Sequence, residues 1–229
     1  GLGILPGREE GAIYQANAGR SLKTVVRETD ATLLVDNDAW RQTGESLSES
    51  FETINQIIAR RVSLVLAAGE NVHGVGESVV DSSEVINTLR TGGMAAIGYA
   101  SAEAAEDAGE NVNVVTSTAR RAMKTQMSVP EASVADAGLV IVAGEPERIS
   151  RKGVERTRAW VEDEAQSLQV RGGDLPIDSD RIAVVVLLSG IVRADRIQEF
   201  MARAEEASQT VEREDPASAF DSDELDSLL

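Results

Sequence analysis

Two groups of side chains have the types and the spacing to do chemistry. The first is Glu10, Asn37, Phe51 and Asn55. An asparagine amide carries a donor and an acceptor on one planar group, a match for the edge of a purine. An aromatic ring stacks on a base face, a contact of about 1–3 kcal/mol in single-strand binders. A carboxylate at a turn accepts from ribose hydroxyls, as in dinucleotide folds. Together the four fit a nucleotide pocket. Singly each has a plainer explanation: Asn37 caps a turn, Asn55 is a tolerated polar residue on a helix, Phe51 belongs to a core. The second group is Asp81 and Glu84. D-x-x-E at a helix start is first of all a capping box, with acids that complement the helix dipole. The chemical alternative is a carboxylate pair that polarises a water.

Other chemistries find little support. There is no Cys, which removes disulfides and thiolate metal sites, and the one His, His73, leaves no basis for His-rich zinc chemistry or a His-centred triad. Neither GxGxxG nor GxxxxGK[ST] occurs. Gly1 and Gly3 are therefore not a phosphate loop, and Gly92-Gly93 lacks the strand-to-helix context of one. A metabolic α/β enzyme using a dinucleotide is a weak reading for the same reason.

The elements that must position these residues can be read from periodicity. Leu47, Phe51, Ile54, Ile58, Val62 and Val65 recur at three and four, and Ile57, Leu64 and Leu66 widen that stripe. This predicts a long central helix over 46–69, buried on most sides. Ser46 and Glu49 form its capping box and Gly69 ends it in a left-handed turn. Leu2 to Leu5 reads as the end of a buried strand stopped by Pro6-Gly7. Residues 10–27 are helical in pattern, with Ala12, Ala16, Leu22 and Val26 inward. Ala31 to Val35 reads as a buried parallel strand that delivers Asp36-Asn37-Asp38 to its carboxyl end, where open α/β sheets place ligands. A short helix is expected around Trp40. Residues 70–77 look like a linker. Beyond them the expected order is a helix over 79–90, a strand over 92–100, an acidic loop over 103–110 and a helix over 112–127. A strand over 138–143, a helix over 150–166, a short strand over 167–170, a strand over 181–189 and a helix over 193–212 complete it. The fold class is thus α/β followed by α+β, the latter with a four-stranded sheet and helices on one side. The helix over 46–69 joins the two parts.

Lys plus Arg is 22 and Asp plus Glu is 39, a net charge of −17 over 229 residues. Such a surface disfavours nucleic acid, whose phosphates need cations. The acids are spread along the chain and Arg far outnumbers Lys. This fits an ordinary acidic cytosolic protein, and fits better a protein adapted to concentrated salt, where the Debye length falls to about 3 Å. No apolar run is long enough to span a membrane, so direct membrane insertion is not expected. Residues 212–229 carry seven acids against one Arg and end DELDSLL. The composition predicts a disordered acidic tail, with docking of an adaptor as the alternative to plain solvation.

DNDAW, FETIN, VVDSSEVINTLRTGGMAAIGYA, VRGGDLP and VVLLSGI occur in that order, and the chain resembles the tubulin and FtsZ superfamily. GLGILPG, DNDAWRQTGES, ESVVDSSE and IGYAS look like the CetZ branch, the tubulin-like proteins of halophilic archaea. The resemblance runs from Gly1 to about Thr210. It implies that residues 1–45 are the remainder of a nucleotide-binding (GTPase) domain, 46–69 the central helix and 76–211 the C-terminal domain. It implies a cytoplasmic, filament-forming GTPase concerned with cell shape, with GTP or GDP as ligand and Mg²⁺ as its companion. Glu10 falls where the family's acid touches the ribose, Asn37 and Asn55 where two asparagines bond guanine, and Phe51 where an aromatic stacks on the base. Asp81 and Glu84 fit the helix start that the family presents to the next subunit's nucleotide in a head-to-tail filament. The bacterial sister proteins carry Asp in place of Glu84. The family's GGGTGSG-type phosphate loops would lie upstream of Gly1, so this chain alone is expected to be incompetent as a GTPase. The alternative is a non-hydrolysing scaffold of the same fold.

Overall fold

The computed structural model describes residues 1–40, 47–70 and 79–213. Twelve elements follow one another: β1 (Leu2–Leu5), α1 (Ala12–Glu28), β2 (Ala31–Asp36), α2 (Leu47–Glu70), α3 (Ser82–Leu89), β3 (Gly93–Glu103), α4 (Val112–Thr125), β4 (Val134–Gly144), α5 (Arg151–Ala165), β5 (Val170–Pro176), β6 (Arg181–Arg193) and α6 (Asp195–Arg213). The strands form one six-stranded sheet in the order β1-β2-β3-β6-β4-β5. The four strands of the second part lie side by side in it, and β2 and β1 extend it beyond β3.

The centre of the sheet follows from the longest apolar run. In β6, Ile182, Val184, Val186 and Leu188 join one core, while Ala183, Val185 and Leu187 join another on the opposite face. A strand buried on both sides shows no polar alternation, and β6 pairs antiparallel with β3 on one side and β4 on the other. The first core is closed by α1, α4, α5 and α6, through Leu22, Val115, Val154 and Phe200 among others. The second is closed by α2 and α3, through Val65, Ala68 and Val85. Helices therefore cover both faces, not one as the order of elements led us to expect, because the face opposite α4 and α5 is apolar as well, through Ile97, Leu139, Ile141, Val185 and Leu187.

Other expectations need correction. Among the described side chains of α2, residues 51–70, one side is buried, through Ile54, Ile58, Val65 and Ala68, while Leu66 is 59% exposed. Gly69 lies within α2 instead of ending it. β1 is a sheet edge with Leu2 and Ile4 exposed. Ala12 of α1 is exposed; Gln15 and Gly19 are buried with Ala16 and Leu22. Trp40 sits in a bend, not a helix. The strand placed at 167–170 is β5, Val170–Pro176; Gly172 and Gly173 disguised it, since glycine is a poor strand former. Ser46, His73, most of the 70–77 linker and the tail from residue 214 lie outside the described residues.

The joint between β2 and β3 is short, with only Ala31, Thr32 and Leu33 in register with Gly93, Met94 and Ala95. Ser128 continues it. Its Oγ donates to the Leu34 carbonyl at 2.7 Å and accepts from Ile97 N at 2.9 Å. Its own carbonyl accepts from Asp36 N at 2.8 Å. The end of β2, with Asn37 just beyond it, is thereby fixed to the sheet.

Candidate functional site

Glu10 and Asn37 meet. The turn after β1 and the turn after β2 lie side by side, because the two strands are parallel neighbours. Asn37 N donates to the Leu5 carbonyl at 3.1 Å. Glu10 Oε1 accepts from Asn37 Nδ2 at 3.0 Å and from Gly7 N at 2.7 Å. The buried Gln15 side chain donates to the Gly7 carbonyl at 2.6 Å and holds the turn from beneath. A Cβ on Gly7 would come within 2.6 Å of Asp38 Oδ1, so a side chain there would have to displace that carboxylate.

Phe51 and Asn55 are one turn apart on α2, both exposed, with Phe51 at 38%. The ring is not enclosed in the core of this chain. Ile54 and Ile58 pack on Val35, two residues before Asn37, so this end of α2 flanks the Glu10–Asn37 pair. Arg61 secures the arrangement. It stacks 3.9 Å from the Trp40 ring centroid and 5.9 Å from that of Tyr99, and it donates to the side chain and carbonyl of Gln126. Burial pulls its pKa down to about 10, with the Tyr99 charge acting the other way, so it stays a cation at neutral pH.

Asp81 and Glu84 stand at the start of α3. Asp81 is the N-cap: its Oδ1 accepts from Glu84 N at 3.0 Å and from the Ser83 hydroxyl. The bond from Ser83, then that from Glu84 N, hold its carboxyl below its ordinary pKa. Burial pushes the Glu84 carboxyl up, the Asp81 N–H pulls it down, the Asp81 charge raises it and Arg171 lowers it; burial prevails. The capping box is thus real, and it leaves Asp81 engaged with its own helix.

The two groups are far apart. A Cβ on Gly69, near the end of α2, would sit 3.7 Å from Ser82 Cα at the start of α3. From Asn55 to Gly69 the helix advances by about 21 Å at 1.5 Å per residue. Glu10, Asn37, Phe51 and Asn55 belong to one end of α2, and Asp81 and Glu84 to the other.

Sequence reasoning missed Arg196. This guanidinium, 6% exposed on α6, bonds Asp36 through Nε and Nη2 and reaches Asp38 Oδ2 at 2.7 Å. The signal was the D-x-D spacing around Asn37, two acids that a buried turn cannot hold without a cation. Among the described residues, no group of three or more His, Asp or Glu is placed to hold a metal ion, and no helix is long and apolar enough to cross a membrane.

The family model for the C-terminal domain of tubulin-like CetZ matches residues 44–206. The chain belongs to the tubulin-like CetZ family. It is 64% identical to tubulin-like protein CetZ2 of Haloferax volcanii over 231 aligned positions, which take in 100% of this chain and 64% of CetZ2. The chain thus spans less than two thirds of that CetZ relative's length. A solved structure of CetZ2 from Haloferax volcanii, a GTPγS-bound protofilament, matches with a TM-score of 0.85 at 62% identity, over 92% of this chain and 61% of that one. An FtsZ dimer from M. jannaschii matches with a TM-score of 0.63 at 18% identity, over 83% of this chain and 54% of that one, and shares the tubulin/FtsZ-like fold alone.

Proposed function

We propose that this CetZ chain is the base-binding and water-activating part of a GTP-binding, GTP-hydrolysing protein that assembles head to tail, with each active site completed between two subunits. The observation that carries the reading is the placement of the two groups at opposite ends of α2. A nucleotide held at the Asn37 end lies out of reach of Asp81 and Glu84 of its own chain, so the carboxylates beside it come from the next copy. The GTPγS-bound protofilament of the CetZ2 relative supports the reading that copies of the chain assemble.

At the Asn37 end, Glu10 accepts from the ribose, Asn37 and Asn55 bond the guanine edge, and Phe51 stacks on the base. The bond from Asn37 Nδ2 to Glu10 engages the donor end of the amide and leaves its oxygen to accept from the base. At the far end, Glu84 positions the water that attacks the γ-phosphate, while Asp81 holds the helix start on which Glu84 rides. Mg²⁺ bound with the nucleotide would supply charge neutralisation; the chain's residues supply positioning and electrostatics. The described residues contain no phosphate-binding loop, so this part alone binds GTP weakly. Residues 1–45 belong with the nucleotide domain, the helix that follows is the shared spine, and 76–211 form the C-terminal domain. The filament is cytoplasmic and governs cell shape, with the acidic tail open to an adaptor.

A second reading has one observation in its favour: Asp81 is already engaged as a cap, as it would be in a scaffold that hydrolyses nothing. Glu84→Ala in the full-length protein separates the two. The proposal predicts that GTP binding and sedimentable assembly persist while turnover falls by about 100-fold, the scale of losing a positioned proton acceptor. Unchanged turnover would remove Glu84 from the mechanism, and absence of any GTPase in the unmutated protein would favour the scaffold.

A further inference from the structure

We infer that Arg196 of α6 is the positioning residue for Asn37, and so sets preference for guanine from a helix that does not touch the nucleotide. The inference rests on the guanine-site reading above.

Asn37 stands between two carboxylates held by one guanidinium. Asp36, 1% exposed, takes two bonds from Arg196, one of them at 3.2 Å to Oδ1. Asp38 takes the third, at 2.7 Å. The same two acids define the turn itself: Asp36 Oδ1 accepts from Asp38 N at 3.0 Å, and Asp38 Oδ2 accepts from Arg8 N at 2.9 Å. Arg8 and Arg196 then share Glu199, at 2.8 and 3.4 Å. The turn carrying Glu10 and the turn carrying Asn37 are thus tied to one point on α6.

A guanidinium is a planar fork with fixed donor directions. With Nε and Nη2 on Asp36 and Nη2 also on Asp38, it fixes both neighbours of Asn37 relative to each other. A lysine at the same place offers one flexible point charge, which can neutralise Asp36 but cannot define both. Arg203, farther along α6, does not duplicate the fork: its Nε and Nη2 make no hydrogen bond. Burial pulls the Arg196 pKa down, but the bond to Asp36 and the charges of Asp36 and Asp38 outweigh it, so the fork stays charged.

The test compares GTP and ATP affinity, by competition with a fluorescent GDP analogue, in the full-length protein carrying Arg196→Lys, Asp38→Asn or Asn37→Ala. Asn37→Ala establishes whether guanine is read here at all. Arg196→Lys is expected to lose guanine preference, measured as the GTP-to-ATP affinity ratio, by about tenfold, with melting temperature close to the unmutated protein. Asp38→Asn, which keeps the Asp36 pair and the fold, is expected to shift the ratio in the same direction. Parallel loss of GTP and ATP affinity, or an unchanged ratio in both variants while Asn37→Ala loses its preference, would overturn the role of Arg196 and leave the guanine site standing. An unchanged ratio in Asn37→Ala would overturn both.

Discussion

Glu84 combines a proposed role in hydrolysis with an unfavourable setting. Its folded pKa is raised, so the folded state holds the proton more tightly than the unfolded chain does. Stability from this group therefore falls as pH rises from the ordinary value of 4.5 through the folded pKa, and above both the ionised carboxylate opposes folding. Glu84→Gln cannot ionise. Its melting temperature at pH 7 should equal or exceed that of the unmutated protein, with the difference shrinking as pH is lowered toward 4.5; a clear loss at pH 7 would contradict this. Asp81 has the opposite sign: its pKa is lowered, and its contribution is present above the ordinary 3.8 and lost as pH falls through the folded value. Arg196 is a different case, a cation buried against Asp36. Arg196→Leu leaves a buried carboxylate unpaired and should cost about 3–5 kcal/mol by urea unfolding. At this scale the sequence marked Glu10 and Asn37, which do meet, and Asp81 as a cap. It left Arg196 unmarked: the D-x-D around Asn37 calls for a cation, but no local spacing says which one, since the partner lies 160 positions away.

The elements set how far those residues can move. α1 and α6 pack against one another on the sheet face opposite α2, and they come close at Gly19, where an added Cβ would collide with the Ala204 Cβ. α6 carries Arg196, so spreading this pair also strains the clamp on Asn37. Gly19→Val should destabilise by about 1–3 kcal/mol, as overpacking does, read as a lower urea midpoint; an unchanged midpoint would show that the pair has slack. Most helices were legible because each keeps one apolar stripe, as α4 does with Val115, Ala119, Ala122 and Met123. β5 was misplaced because its two glycines carry no pattern. The reach of α2 was legible and its burial was not. Periodicity reports which residues are apolar, and Leu66 is apolar yet exposed.

For the whole molecule, a net charge of −17 sets the long-range balance. Self-repulsion acts over about 10 Å at 0.1 M salt and about 3 Å at 1 M. The melting temperature should rise with KCl over that range, and a fall would mean that surface ion pairs outweigh repulsion. The buried Arg196–Asp36 pair, shielded from solvent ions, should contribute little to the salt dependence. The six-stranded sheet joins the Asn37 end and the Asp81 end into one body, and α2 holds them about 21 Å apart. That separation is the basis for placing the active site between subunits. Complementation tests it directly. Full-length Asn37→Ala lacks the proposed base contact, Glu84→Ala lacks the proposed water-positioning carboxylate, and each alone should hydrolyse GTP slowly. Mixed in equal amounts, random head-to-tail assembly pairs an intact pocket with an intact Glu84 at about one contact in four. The mixture should therefore recover about a quarter of the unmutated rate. A rate equal to the mean of the two separate variants would place both groups in one subunit's site and contradict the account.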